Sequence, residues 1–389
     1  MKKYFFFIIL QIYKKKDYGC IVFNHFLLFL QENVLIMTTP NKKNHVTIAK
    51  AIGIILMVIG HSGVPFSLIN DFIYTFHMPL FFFCSGYFFK GINSKTNFKN
   101  YCAKRISSLY FPYLKWSFSF LIFHNVFYNL FIYSYSYNCY EFFKQGIKVI
   151  AMTEYEIMLR PFWFIKTLLL TSISAGLISF ACYRKTKNLN TKNITLLSLI
   201  ATLLLKYLHC NIPIIGDCSL ILFGIAYYFS GSIYRHYEDR LRINAMMPAI
   251  LLTIILVGCQ FFTGIIDMRY TTELNTLFYY ILSLLGIMSI FEIAKRINEN
   301  GFKICKNVLY YIGNHTMPIL ALHLLFFKIV NLIKILIYDL PIERLADYTI
   351  IKEHNNLFWI IYVVFGLLLP LLSDYFYYSI KTYKRSNKL

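Results

Sequence analysis

Residues 61–86 read HSGVPFSLINDFIYTFHMPLFFFCSG, and they set two histidines at the ends of apolar runs joined by a short uncharged link. His61 closes the run Val46–Gly60, and His77 lies inside the run Ile69–Phe89. A titratable group inside a hydrophobic span is costly to keep there, which makes both histidines functional candidates.

The surrounding sequence has the composition of a membrane protein. It is 58% apolar, 19% aromatic and only 15% charged over 389 residues, against about 25% charged in ordinary soluble domains. Apolar runs near bilayer length recur to the C-terminus, so an all-α, polytopic membrane helical bundle is expected. About ten spans are counted by length and hydropathy: 46–63, 69–89, 107–132, 162–183, 193–209, 218–234, 245–264, 274–294, 308–330 and 356–380. The formal charge of +21 is spread over short segments between these runs. That is how lysine and arginine set topology, and no nucleic-acid motif or single basic face appears. The cysteines lie at scattered spacings with no CxxC pair, and neither a metal site nor a disulfide framework is expected.

Loop charge alternates. Lys90, Lys95, Lys99, Lys104 and Arg105 precede the third span. Arg184, Lys185 and Lys187, then Arg235 and Arg240, then Lys295 and Arg296, and finally the tail have the same parity. The intervening loops are poorer in basic residues, so both termini are expected on the cytoplasmic side of the cell (plasma) membrane. Residues 1–36 start basic and then apolar but show no small-residue cleavage site. They read as an upstream extension, with the working membrane domain at 37–389 and Met37 as its start.

Depth follows from helix rise. His61 is about 11 residues beyond Lys50, roughly 16 Å along a helix. His77 is roughly 12 Å in from the other end of its antiparallel neighbour. The two therefore share the outer half of the bilayer, and Pro79 should loosen the second helix beside His77. Lys104 and Arg105 sit at the cytoplasmic mouth of the third span. Trp163 lies at the outer edge of the fourth, with Lys166 one turn deeper. In the ninth, Gly313, Asn314, His315, Thr316 and Pro318 interrupt the apolar run. His323 is roughly 22 Å from its cytoplasmic edge, again in the outer half.

Three strings carry a family resemblance: AKAIGIILMVIGHS (49–62), IYTFHMPLFFFCSGYFF (73–89) and RISSLYFPY (105–113), with fainter echoes in PFWFIKTL (161–168) and IGNHTMPILALH (312–323). On these the chain resembles the acyltransferase 3 family of integral membrane acyltransferases, in particular its fucose 4-O-acetylase-like branch. The resemblance implies about ten spans and transfer of an acyl group, usually acetyl from acetyl-CoA, to a carbohydrate hydroxyl. The acceptor would be a surface polysaccharide or its lipid-linked precursor. Acyl-CoA, the carbohydrate and the bilayer are then the partners, with no nucleic acid. Acetyl-CoA is a substrate rather than a bound cofactor.

By the same resemblance His61 is the residue essential for transfer and Arg105 serves the acyl donor, with Lys104 beside it. His77 and His323 fall on recurrent motif histidines. His61 is expected to act as general base or acyl relay, with His77 orienting it or polarising the thioester. Lys166, Asn314 and His323 are candidate oxyanion donors, and Trp163 a supporting residue. Related sequences often carry an acid at the position of Thr47; here any carboxylate partner must come from elsewhere. A carrier or flippase for lipid-linked sugars would also use basic loops and intramembrane polar groups, but the sequence shows no inverted repeat.

Overall fold

A computed structural model describes residues 44–209, 211–212, 216–240, 246–262 and 265–386. The extension expected at 1–36 lies outside the described residues. The molecule is an all-α bundle. Among the described residues the sole sheet is a two-residue antiparallel ladder, β1 (Asn211–Ile212) with β2 (Gly216–Asp217).

The helices follow the apolar runs. They are α1 (Asn44–His61), α2 (Ser67–Tyr87), α3 (Lys95–Arg105), α4 (Phe111–Ile122), α5 (His124–Asn129), α6 (Cys139–Ile150) and α7 (Trp163–Thr186). Next come α8 (Thr191–Tyr207), α9 (Cys218–Tyr237), α10 (Met247–Cys259), α11 (Glu273–Asn300), α12 (Lys303–Asn314), α13 (Thr316–Tyr338) and α14 (Phe358–Ser386). Every expected span contains helix. Five segments are individually long and apolar enough to cross a bilayer: Asn44–His61, Ile157–Thr186, Asn275–Asn300, Thr316–Tyr338 and Phe358–Tyr377. The helix α10 covers about 20 Å, short of the ~30 Å of a hydrocarbon core.

Two expected spans are divided. The third, 107–132, begins with a π-helical turn (Ile106–Tyr110) and continues as α4 and α5. Pro112 explains the turn: it has no N–H for the i−4 carbonyl, and the Phe111 amide bonds to Ile106 O instead. The ninth, 308–330, is two helices broken at His315. Pro318 falls in the first turn of α13, where a missing N–H costs nothing. Gly313 closes α12 directly against α1, since a Cβ there would lie 2.0 Å from Thr47 O.

At the centre, α1 packs on α2, α11, α12 and α13, and α9 fills the groove between α2 and α8. The α2–α9 contact is backbone on backbone. A Cβ at Gly86 would sit 1.7 Å from Tyr228 O, and one at Gly231 2.1 Å from Phe83 O. Such close approach lets helices pack by dispersion where no hydrophobic force separates protein from lipid.

One end of the bundle is tied by a carboxylate. Glu238 accepts the Tyr87 hydroxyl of α2 and pairs with His45 of α1 at 3.0 Å and Lys295 of α11 at 3.0 Å. Burial opposes its charge, but these donors prevail and hold its pKa down to about 2. A carboxylate with a depressed folded pKa contributes stability that is present above its unfolded pKa of about 4.3 and is lost as pH falls through the folded value. Glu238→Gln should therefore lower the thermal midpoint in detergent at pH 7 by several degrees. The gap should narrow below about pH 4. An equal gap at pH 7 and pH 3 would refute the linkage.

Candidate active site

The other end of the bundle holds a cavity of about 770 Å³. Four connecting segments converge on it, contributing Gly63–Pro65, Arg160–Trp163, Asp267–Tyr270 and Tyr348–Asn356, and its floor includes His61 and His77.

His61 is the last residue of α1. Gly63, at φ +70°, turns the chain sharply after it, and Ser62 N bonds back to Ile59 O at 3.0 Å. The left-handed turn ends the helix and leaves its last carbonyls without partners inside it. Asn355 closes over that end, its Nδ2 donating to Gly63 O at 2.6 Å and Ser62 O at 3.3 Å.

The hydrogen bonds around His61 fix a tautomer. His323, fully buried on α13, has its Nδ1 3.0 Å from Ile319 O and 3.1 Å from Leu320 O. A carbonyl only accepts, so Nδ1 carries the proton, and the neutral ring has its lone pair on Nε2. That Nε2 lies 2.9 Å from His61 Nδ1, and the two rings stack at 5.1 Å with 13° between planes. His61 Nδ1–H therefore donates to His323, leaving His61 Nε2 as the unprotonated nitrogen of a cavity-lining ring.

His77 also lines the cavity. Its Nδ1 donates to Ile73 O at 2.8 Å, and the edge of Tyr74 packs on it with centroids 5.0 Å apart. Its Nε2 is likewise free of a proton in the neutral ring. The sequence reading had His77 orienting His61 or polarising the thioester, and counted His323 among the oxyanion donors. In the structure it is His323 that hydrogen-bonds to His61, and its ring is not part of the cavity wall.

The remaining sequence candidates separate. Trp163 lines the cavity; Lys166, one turn deeper on α7, is not among the lining residues. Asn314 lies at the α12–α13 break, beside the Gly313–Thr47 contact at the start of α1, away from the histidines. Arg105 ends α3, immediately before the π turn, and donates from Nη2 to Tyr228 Oη at 3.0 Å. Its guanidinium also lies over Tyr101, 5.1 Å from the ring centroid, and Tyr101 and Tyr228 join at 2.8 Å. Lys104 beside it is exposed. Tyr228 sits at the level of Gly86, which is nine residues beyond His77 on α2, an axial separation of about 14 Å.

Several site residues escaped the sequence reading. Asp267, 5% exposed, is bound by Arg269 through Nε at 3.2 Å and Nη2 at 3.0 Å. The Arg269 guanidinium lies 4.7 Å from each of the Trp163 and Tyr270 rings. Burial opposes its charge, yet the bonds to Asp267 outweigh that and raise its pKa. Arg160 lies 4.7 Å over the Tyr348 ring. Burial pushes the Tyr348 phenol up to about 12, against the pull of Arg160.

The wall formed by 348–356 is anchored from α13. Lys334 donates to Ile351 O at 2.6 Å, Asn331 Oδ1 accepts Ile351 N at 3.3 Å, and Lys328 donates to Asp347 O. These three side chains are buried at i, i+3 and i+6 of one helix face. That spacing was legible as a polar stripe in an apolar span. Among the described residues, no group of three or more His, Cys, Asp or Glu side chains is arranged to hold a metal.

The arrangement offers paired bases at the foot of an open, aromatic-walled cavity, a setting suited to removing a proton from a hydroxyl. The family model of an acyltransferase domain matches residues 44–375. No curated protein and no solved structure matches the chain.

Proposed function

The chain belongs to the acyltransferase 3 family of membrane acyltransferases, and we propose that it carries an acetyl group from acetyl-CoA to a sugar hydroxyl of a cell-surface polysaccharide or its lipid-linked precursor. The observation that carries this reading is the His61–His323 pair, which sets an unprotonated His61 Nε2 in the wall of the cavity.

In the proposed step, the acceptor hydroxyl gives its proton to His61 Nε2 while its oxygen bonds to the thioester carbonyl carbon. The tetrahedral intermediate collapses with cleavage of the C–S bond. The proton on His61 Nε2 then passes to the departing coenzyme A sulfur, restoring the neutral ring. The imidazolium formed in between keeps Nδ1–H on His323, so no rearrangement is required. His77, whose Nε2 is also unprotonated, accepts a hydrogen bond from an acceptor hydroxyl at the same wall.

The donor approaches from the end bearing Arg105 and Lys104, which we assign to the cytoplasm because the basic loops share that parity. The axial distance of about 14 Å from the Arg105 level to His77 suits an extended pantetheine arm. Arginine makes bidentate contacts to phosphate. Arg105→Ala should raise KM for acetyl-CoA about tenfold with a smaller change in kcat, in steady-state assays on membranes. An unchanged KM would remove Arg105 from donor binding and leave it as the Tyr101–Tyr228 tie.

The decisive experiment is mass spectrometry of surface glycans from cells with and without the gene, together with thioester turnover by the purified protein in proteoliposomes. Loss of one acetyl mass per modified sugar is expected in cells without the gene, and release of free coenzyme A thiol is expected from the purified protein. Passage of a lipid-linked sugar without thioester cleavage would establish the carrier reading instead.

A further inference from the structure

We propose that the cavity is built for an acceptor bearing an oxyanion, a carboxylate on the sugar ring or a phosphate attached to it, and that Arg160 is its principal anchor. The proposal rests on the acyl-transfer reading for the acceptor role, and on the cavity alone for the charge.

Four charged side chains line the cavity: Arg160, Asp267, Arg269 and Lys352. Asp267 and Arg269 neutralise one another through two hydrogen bonds. That leaves two cations in the wall and no carboxylate to balance them. Among the described residues neither Arg160 nor Lys352 has an ion-pair partner. Glu353, the nearest acid in sequence to Lys352, is held instead by Arg344 at 2.6 Å.

Arg160 is also positioned. It sits in the 3₁₀ turn Ile157–Phe162 between Leu159, fully buried, and Pro161, also buried, so its backbone is fixed from both sides. Its guanidinium lies on the Tyr348 face. Stacking restrains the planar fork while its edge N–H groups stay available for a bidentate oxyanion contact. Trp163 and Tyr270, which flank the neutralised Arg269, supply flat apolar faces of the kind against which a sugar ring packs. Arg160 and Lys352 are exposed to solvent in the cavity wall, so a neutral sugar would use the aromatic faces alone, whereas an anionic one would engage both the faces and the two cations.

The test uses the purified full-length protein in detergent and three probes: methyl glucuronide, methyl glucoside and glucose 1-phosphate. Binding is read by saturation-transfer NMR titration and needs no chemistry. The glucuronide should bind about tenfold more tightly than the glucoside, which differs from it only at the ring carboxylate. Arg160→Gln should remove that advantage, Lys352→Gln should reduce it, and high salt should weaken it. Preference for glucose 1-phosphate over the glucuronide would identify phosphate as the oxyanion; the reverse would identify a sugar acid. Equal binding of all three probes to the wild type overturns the proposal, as does an Arg160→Gln variant that weakens the anionic probes and the glucoside equally or a failure of all three probes to bind. Acetyl transfer from acetyl-CoA is measured separately. Anion-selective binding without acetylation of any acceptor would sink the acyl-transfer reading and leave the oxyanion site standing.

Discussion

His61→Ala should leave full-length protein in the membrane at normal levels and reduce acyl transfer to about one part in a thousand or less. The size follows from what the ring supplies: a general base contributes typically 10²–10⁴ in rate, and here the same nitrogen also returns the proton to the leaving sulfur. Folding should survive. His61 ends α1 rather than lying in its middle, and the helix stop depends on Gly63 and Asn355, neither of which the substitution touches. The truncation opens onto a cavity of about 770 Å³, so added imidazole can reach the vacated position. Partial recovery of transfer with imidazole in the assay is expected, because a diffusible base restores the missing lone pair. Retained activity in His61→Ala would refute the assignment outright. A matching collapse in His77→Ala, with His61→Ala only mildly affected, would exchange the roles of the two rings, since both carry an unprotonated Nε2 in the same wall.

The helices of this bundle were legible wherever an apolar run and its boundary signals agree. The expected spans 46–63 and 69–89 became α1 and α2, each shifted by two residues. Prolines divide two of the spans: Pro318 reads, in sequence, as part of an interruption in the ninth, and Pro112 falls inside the third. In the structure Pro318 lies in the first turn of a new helix, where its lost N–H has no intrahelical acceptor to serve, whereas Pro112 sits in an unbroken helical backbone and is accommodated by the π turn before it. The need for glycine at 313, just before the break at His315, is a tertiary fact, because the approach of Thr47 forbids a Cβ there. No local pattern carries that information.

The site was legible in part for a similar reason. Counting helix rise gives depth, and depth grouped His61, His77 and His323. It gives no azimuth, and azimuth decides which ring touches which. The structure turns His323 rather than His77 toward His61 Nδ1. Asn314 was a candidate because it interrupts the run 308–330, and the structure places it at the α12–α13 break beside the Gly313–Thr47 contact. Asp267, Arg269 and Arg160 lie in connecting segments, where neither periodicity nor hydropathy ranks one polar residue over another. The three-residue spacing of Lys328, Asn331 and Lys334 was available as a signal. Buried polar groups on one face of an apolar helix need partners, and here those partners are backbone atoms of the cavity wall.

His323→Leu should lower kcat about 100-fold, equivalent to about 2.7 kcal/mol, with KM for donor and acceptor nearly unchanged. His323 is a positioning residue: it lies outside the cavity wall and acts through His61. Leucine occupies similar space but accepts no hydrogen bond. His61 Nδ1–H then loses its acceptor, the ring is free to rotate or to place its proton on Nε2, and the fraction of enzyme with a usable base falls. The substrates bind elsewhere in the cavity, which is why the loss should fall on kcat. A general packing defect would behave differently, changing both constants or the amount of folded protein. Glutamine separates the two explanations further. Its carbonyl oxygen can accept His61 Nδ1–H while its amide donates to Ile319 or Leu320 O, the two bonds that His323 makes now. His323→Gln should therefore retain activity within about tenfold of the wild type. If Gln and Leu variants lose activity equally while both remain folded, the hydrogen bond is not what sets His61, and the proton assignment on which the base mechanism depends fails with it.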